Sequence, residues 1–315
     1  MTQTASHSSS QSNKGARTAY LIDASIYIFR AWFSVPDSMR GENAKPVNAV
    51  YGFCKFLTEF VERSQADYIA VAFDESLTTS FRNEIYPQYK MNRELPPQEL
   101  ADQFSWCKRL VEAAGLYCMA HDRYEADDLI ATAALGMREQ GYRIGVVSGD
   151  KDLAQVLRGN DFWWDFAKNI QLDSSMVAEK FGVGPEAIHD YLGLCGDAVD
   201  NIPGVPGVGP KTASALLQNF GSVEVLYQRL EDVKHLKVRG AKTLASKLRE
   251  HKEQAFLSKQ LATVEYQAPI DVTPDLLRRK AAEVGGLQQV GQIMGGRGDG
   301  LFERLINSAQ RSLAQ

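Results

Sequence analysis

Four short apolar runs constrain this chain more than any other feature. Two of them, Ala19-Tyr-Leu-Ile and Tyr68-Ile-Ala-Val-Ala-Phe73, lead straight into aspartates, Asp23 and Asp74. A third covers residues 116–120, and the fourth, Arg143-Ile-Gly-Val-Val147, is followed by Ser148-Gly-Asp150. Between them lie stretches with a helical period, at 47–63, at 98–114 and from about Glu125 onward. Short strands alternating with helices predict an α/β fold with a mostly parallel sheet. In an open sheet of that kind the carboxyl ends of the strands line the ligand crevice, so Asp23, Asp74 and Asp150 would converge at one edge. Singly, each reads as a helix cap or loop residue. Three in one register point to a site.

The texture changes near residue 185, from strands and helices to short helices separated by glycine-rich turns, and this second region runs to about 262. The rest, including Gly295-Gly-Arg-Gly-Asp-Gly300, reads as a loop and a final short helix. No internal repeat is evident. Residues 1–16 are polar and Ser-rich, without the hydrophobic stretch of a secretory signal, and read as a disordered tail. No apolar run approaches the roughly 20 residues that cross a bilayer. The four cysteines, Cys54, Cys107, Cys118 and Cys195, form no CxxC pair, which argues against a zinc site or disulfide framework and fits a reducing cytoplasm.

The densest acidic signal is Tyr124-Glu125-Ala-Asp127-Asp128-Leu129. On a helix, Glu125 and Asp128 share a face and Asp127 lies beside them. Acids are also favoured at a helix N-terminus, so capping is the rival reading. Three carboxylates within four residues repel one another, and a divalent cation is the simplest remedy. Asp150 and Asp152 follow the fourth strand, and Gly196-Asp197-Ala-Val-Asp200-Asn201 supplies two more acids. With Asp23 and Asp74 these make nine carboxylates in five clusters, and oxygen-only donors suit Mg²⁺ or Mn²⁺. Nine exceed the needs of one such ion, which predicts two, the usual apparatus for in-line phosphodiester cleavage. No Walker A loop and no G-x-S-x-G elbow is present, which weakens ATPase and serine-hydrolase readings.

Net charge is −4, unusual for a nucleic-acid binder until its distribution is considered. Residues 228–259 hold nine Lys/Arg against four Asp/Glu, a local +5. Just upstream, Gly204-Val-Pro-Gly207-Val-Gly209-Pro-Lys211-Thr212 is a glycine-spaced turn opening a helix. Glycines permit close backbone approach, and amides at a helix start can grip a phosphate without reading sequence. A tight turn without a ligand is the alternative. Lys242 belongs to the basic run that would extend such a grip along a duplex. Residues 80–100 mix cations with aromatics (Arg82, Tyr86, Tyr89, Lys90, Arg93), a single-strand binding device or a solvated loop.

Together, Tyr20-Leu-Ile-Asp23, Phe73-Asp74, Ser80-Phe-Arg82, Tyr89-Lys90, Glu125-Ala-Asp-Asp128, Gly149-Asp-Lys-Asp152 and Gly196-Asp-Ala-Val-Asp-Asn-Ile-Pro-Gly-Val205 closely resemble the 5′→3′ exonuclease domain of bacterial DNA polymerase I and the stand-alone 5′ nucleases of the flap endonuclease superfamily. The likeness runs from residue 18 to about 265. It implies a PIN-like nuclease core over 17–185 with a helical arch at about 80–100, a helix-hairpin-helix region over 186–262 and a C-terminal segment over 263–315. The resemblance implies that Asp23, Asp74, Glu125, Asp127, Asp128, Asp150, Asp152, Asp197 and Asp200 hold two metals. It gives Arg82, Lys90 and Arg93 contacts to the scissile phosphate, with Lys90 and Arg82 catalytic. Tyr89, Gly204, Gly207, Gly209, Lys211, Thr212 and Lys242 fall to DNA binding, and the hairpin is similar to sites that hold K⁺. The implied activity is cleavage of 5′ flaps, nicked duplexes or RNA-primed strands, by a monomer working with a DNA polymerase. Two rival functions stay open at this stage, a non-catalytic DNA-junction binder and a PIN-type ribonuclease.

Overall fold

A computed structural model describes residues 17–76, 78–238 and 240–313; the expected disordered tail, 1–16, lies outside them. Six strands are present: β1 (Thr18–Asp23), β2 (Tyr68–Asp74), β3 (Tyr117–His121), β4 (Arg143–Val147), β5 (Phe162–Asp165) and β6 (Ile170–Leu172). They form one sheet in the order β3-β2-β1-β4-β5-β6, parallel except for the β5–β6 hairpin. The chain moves outward from β1 through β2 to β3, then returns to place β4 on the other side of β1. The switch point of the sheet therefore lies between β1 and β4, where a crevice opens at the carboxyl ends.

Both faces of the sheet are covered. Helices α1 (Ala24–Ser34), α2 (Asn48–Ser64), α3 (Phe81–Ile85), α4 (Gln98–Ala113) and α5 (Ala126–Glu139) belong to the sheet region. The strand alternation sends Ile22, Val71 and Phe73 to one side, against Ile28 of α1, Phe53, Leu57 and Phe60 of α2 and Leu110 of α4. Leu21, Ala70, Ala72 and Val146 go to the other, against Leu129, Ile130 and Met137 of α5. This two-sided burial is why the strands read as near-continuous apolar runs. In α2 the buried Val50, Phe53, Cys54, Leu57 and Val61 recur at helical spacing, so one stripe faces the core.

After α6 (Ser174–Phe181), which follows the β5–β6 hairpin, a second, all-helical region contains α7 (Ile188–Cys195), α8 (Pro210–Phe220), α9 (Val223–Gln228), α10 (Ala241–Glu250) and α11 (Lys252–Ala262). Its core is continuous with the α5 side of the sheet. Helices α8 and α10 both open on Gly-x-Lys-Thr, at Gly209–Thr212 and Gly240–Thr243, a short repeat that the apolar periodicity hides because the two turns differ around it.

The C-terminal segment is more ordered than the sequence suggests. It contains α12 (Pro274–Leu277), α13 (Val284–Ile293) and α14 (Asp299–Leu313). Leu287, Val290, Met294, Phe302 and Leu305 are buried in the core on the α2–α4 side. The glycine-rich stretch is the turn between α13 and α14. Gly295 and Gly296 have φ of +64° and +73°, and a side chain on Gly41 would meet the Ile293 carbonyl at 1.9 Å. The glycines thus let two backbones touch.

Candidate active site

The site grows from the strand ends. Asp23 closes β1 and caps α1, accepting a hydrogen bond from the Ser25 amide at 3.1 Å and another from the Ser148 hydroxyl at 2.9 Å. Asp74 closes β2; its Oδ1 accepts from the Ser76 amide (3.2 Å) and hydroxyl (3.0 Å). Asp150 follows β4 and accepts from the Asp152 amide at 2.9 Å. Glu125 is the N-cap of α5, and Asp127 stands in its first turn. Asp197 and Asp200 lie on a tight loop closed by Asp197–Ile202 backbone hydrogen bonds of 2.9 and 2.8 Å.

A cleft of about 690 Å³ is lined by Asp23, Asp74, Glu125, Asp127, Asp150 and Asp200. An adjoining recess of about 230 Å³ is lined by Asp150, Asp152, Asp197 and Asp200. The structure thus gathers eight of the nine expected acids into two connected hollows at the sheet's switch point. Among the described residues, no three of these side chains already close on a common ion position.

The electrostatics show what the carboxylates lack. Burial pushes the Asp23 carboxyl up to about 7, aided by the nearby Asp150 and Asp74 charges. Burial also raises Asp152 to about 7, and raises Asp74, Asp127 and Asp150, with Asp150 and Asp23 adding to the effect on Asp127. Glu125 goes the other way: burial would raise it, but the adjacent Lys90 and Arg82 charges outweigh burial and hold it at about 2. Crowded, desolvated carboxylates that resist ionising gain most from a hard cation, which neutralises several at once. One buried oxygen is poorly satisfied: Asp152 Oδ1 makes no well-formed hydrogen bond and has only the Lys151 ammonium, 3.1 Å away, as an ion-pair neighbour. The oxygen-only donor set and this oxygen fit a divalent ion of the Mg²⁺ or Mn²⁺ type.

Two family-model matches cover most of the chain. The one described as "5'-3' exonuclease, N-terminal resolvase-like domain" matches residues 18–182, and "5'-3' exonuclease, C-terminal SAM fold" matches 183–284. This chain belongs to the 5′–3′ exonuclease family. DNA polymerase I of Pseudomonas aeruginosa is 42% identical over 258 residues, 82% of this chain and 28% of that relative. The chain therefore spans under a third of the polymerases it matches. A 5′–3′ exonuclease of Buchnera aphidicola is 37% identical over 253 residues, 80% of this chain and 83% of the relative. Among solved structures, T5 5′-exonuclease with bound zinc superposes with a TM-score of 0.65 at 17% identity, covering 93% of this chain and 100% of the other. The catalytic core of Rad2 in complex with a DNA substrate gives 0.61 at 17% identity, covering 93% and 92%. Those two likenesses concern the fold.

Several residues of this 5′–3′ exonuclease sit differently from the sequence reading. Asp128 lines neither hollow. Fully buried, it takes a two-pronged ion pair from Arg82 (2.7 and 2.8 Å), plus hydrogen bonds from the Glu125 and Glu265 amides at 3.1 and 2.8 Å. Both oxygens are occupied, which sets Asp128 apart from the eight acids that line the hollows. Arg82 is correspondingly buried, donating also to the Leu261 and Thr263 carbonyls at 2.8 Å, and presents nothing to a phosphate. Tyr89 is buried too, with its hydroxyl donating to Glu125 (3.1 Å) and Asp200 (3.3 Å), which removes it as a base-stacking surface. In place of a helical arch, residues 80–100 form the short α3, a run of turns and the start of α4. Those turns are stapled to the acidic loop: the Lys90 amide donates to the Asp200 carbonyl (3.0 Å), Asn92 to Ala198 (2.8 Å) and Asn201 back to Gln88 (2.6 Å). This brings the Lys90 ammonium to 2.7 Å from Glu125 and pairs Arg93 with Asp200.

The hairpin residues also divide. Gly204, at φ +61°, is buried where an added side chain would strike Gly196 N at 2.3 Å, so it serves loop closure. Gly207, Gly209, Lys211 and Lys242 are exposed and Thr212 is half-buried, as a surface grip requires. The sequence reading passed over Ser76, which donates to the Asp74 carboxylate, over Ser25 and Ser148, which donate to that of Asp23, and over Lys151, which stands between Asp152 and Asp197 at 3.1 Å from each. A serine two residues after an aspartate at a strand end, as in Asp23-Ala-Ser25 and Asp74-Glu-Ser76, is the local signal for such support.

Proposed function

We propose that this protein is a divalent-metal-dependent 5′→3′ exonuclease and flap endonuclease, hydrolysing DNA phosphodiester bonds to 5′-phosphate and 3′-hydroxyl ends. One observation carries the reading: acids from five separated segments line two connected hollows at the carboxyl edge of the sheet. Asp23, Asp74, Glu125, Asp127 and Asp150 would hold one ion, and Asp150, Asp152, Asp197 and Asp200 a second. Bound Mg²⁺ or Mn²⁺ would supply a water of lowered pKa and charge stabilisation at the scissile phosphate. The chain's own residues do the rest. Ser148 and Ser76 fix the carboxylates of the two strand-end aspartates, Asp23 and Asp74, and Arg82–Asp128 fixes the start of α5, where Glu125 and Asp127 sit. Lys90 and Arg93 place positive charge at the cleft wall, where an incoming phosphate would meet it. The exposed hairpin, Gly207 to Thr212, and the basic run with Lys242 grip the duplex backbone without reading its sequence. K⁺ bound by hairpin carbonyls belongs to the same reading.

On the likeness of the site motifs to 5′ nucleases we take 5′ flaps, nicked duplexes and RNA-primed strands as substrates, with primer removal and repair in the cytoplasm as the role. We take the boundary between nuclease core and helical region near residue 185, and a monomer assisted by a DNA polymerase as the working form. No described helix is long and apolar enough to cross a membrane. Asp74→Asn tests the reading on a 5′-labelled flap in Mg²⁺, with EDTA as control. Cleavage should fall at least about 10²-fold while flap binding persists, and full turnover by the variant would remove Asp74 from the chemistry.

A further inference from the structure

We infer that Lys151 is a built-in competitor for the second divalent ion, its ammonium occupying the space between Asp152 and Asp197 that the metal must enter. The inference rests on the two-ion reading above. Lys151 Nζ lies 3.1 Å from Asp152 Oδ1 and 3.1 Å from Asp197 Oδ2. Both carboxylates line the smaller recess together with Asp150 and Asp200; Asp200 is already paired with Arg93, and the Lys151 ammonium is the charge seated on the Asp152–Asp197 side.

The fit is electrostatic and incomplete. Lys151 donates a hydrogen bond to Asp197, but its geometry leaves Asp152 Oδ1 without one. A hard cation can bond every oxygen it faces, whereas an ammonium has three directed donors. The ammonium therefore neutralises the recess without satisfying it. Lys151 is also free to leave. Its side chain is 47% exposed, against 11% for Lys90, whose backbone is stapled to the acidic loop and whose ammonium is locked on Glu125. The two lysines thus divide the work: Lys90 is fixed at the larger cleft, and Lys151 is a displaceable plug in the smaller one. Displacement shifts occupancy of the second position to higher metal concentration than that of the first, because only the fraction of molecules with the ammonium swung away can take the ion.

The test uses the full chain and Mn²⁺ alone, without DNA. Binding is followed by calorimetry and by the electron paramagnetic signal of free Mn²⁺. The parent should take up two ions with unequal affinity. Lys151→Met and Lys151→Gln, each checked for folding by circular dichroism, should tighten the weaker site by about tenfold or more, the scale expected when a unit charge a few ångströms away is removed. Lys151→Arg should leave it weak. Unchanged or weakened affinity in both neutral variants overturns the inference while sparing the two-ion reading. A parent that binds no Mn²⁺ overturns both.

Discussion

Breaking the Arg82–Asp128 pair should unfold the protein before it disarms it. Asp128 is wholly buried and uses both oxygens twice, toward Arg82, Glu125 N and Glu265 N. Arg82 in turn ties α5 to the carbonyls of Leu261 and Thr263. Arg82→Met strands a buried carboxylate and two backbone carbonyls. Removing one member of a buried ion pair costs about 3–5 kcal/mol, chiefly because the other is left uncompensated. That is a large share of the roughly 5–15 kcal/mol that holds most proteins folded. At about 2–4 °C per kcal/mol for a protein somewhat smaller than this one, the melting temperature should fall by about 10 °C. Asp128→Ala should cost at least as much, since it also strands two amides. Scanning calorimetry measures both, and Mn²⁺ binding at 4 °C separates structure from ligation. The reasoning predicts a large drop in melting temperature with Mn²⁺ stoichiometry kept. An Asp128→Ala protein that melts like the parent yet loses an ion would refute it and restore Asp128 as a metal ligand.

Lys90→Ala removes the ammonium 2.7 Å from Glu125, so cleavage of a saturating flap should slow by about 10²-fold with little change in binding, as for a mispositioned phosphate; an unchanged single-turnover rate would contradict it. Asp190 gives a pH prediction in the helical region. Burial would raise its carboxyl, but His189, Lys259 (2.7 Å) and the Val223 amide (3.0 Å) outweigh burial and hold it below the usual range. A folded pKa below the unfolded value adds stability that is present above about pH 4 and lost as pH falls through the folded value. The melting-temperature gap between the parent and Asp190→Asn should therefore be widest near neutrality and close below about pH 4. A gap that widens with acid would show the sign to be wrong.

The sequence by itself determined four of the six strands and the edge on which the acids gather; β5 and the antiparallel β6 were not read. Apolar runs and the aspartates ending them are local facts: the central strands β1, β2 and β4 are largely buried on both faces, and β1, β2, β3 and β4 fall within a residue or so of their apolar runs. The C-terminal helices were harder to read, because they are separated by a glycine-rich turn and lean on α2 and α4, far upstream. The tertiary structure alone decided which acid does what. Glu125, Asp127 and Asp128 look alike in a row of letters. Their roles separate because Arg82 reaches Asp128 from 46 residues away and ties it to the Leu261 carbonyl, 179 residues from Arg82. Whether a carboxylate is free to bind a metal depends on how many donors already surround it. That is a property of space, and neighbours in sequence do not report it.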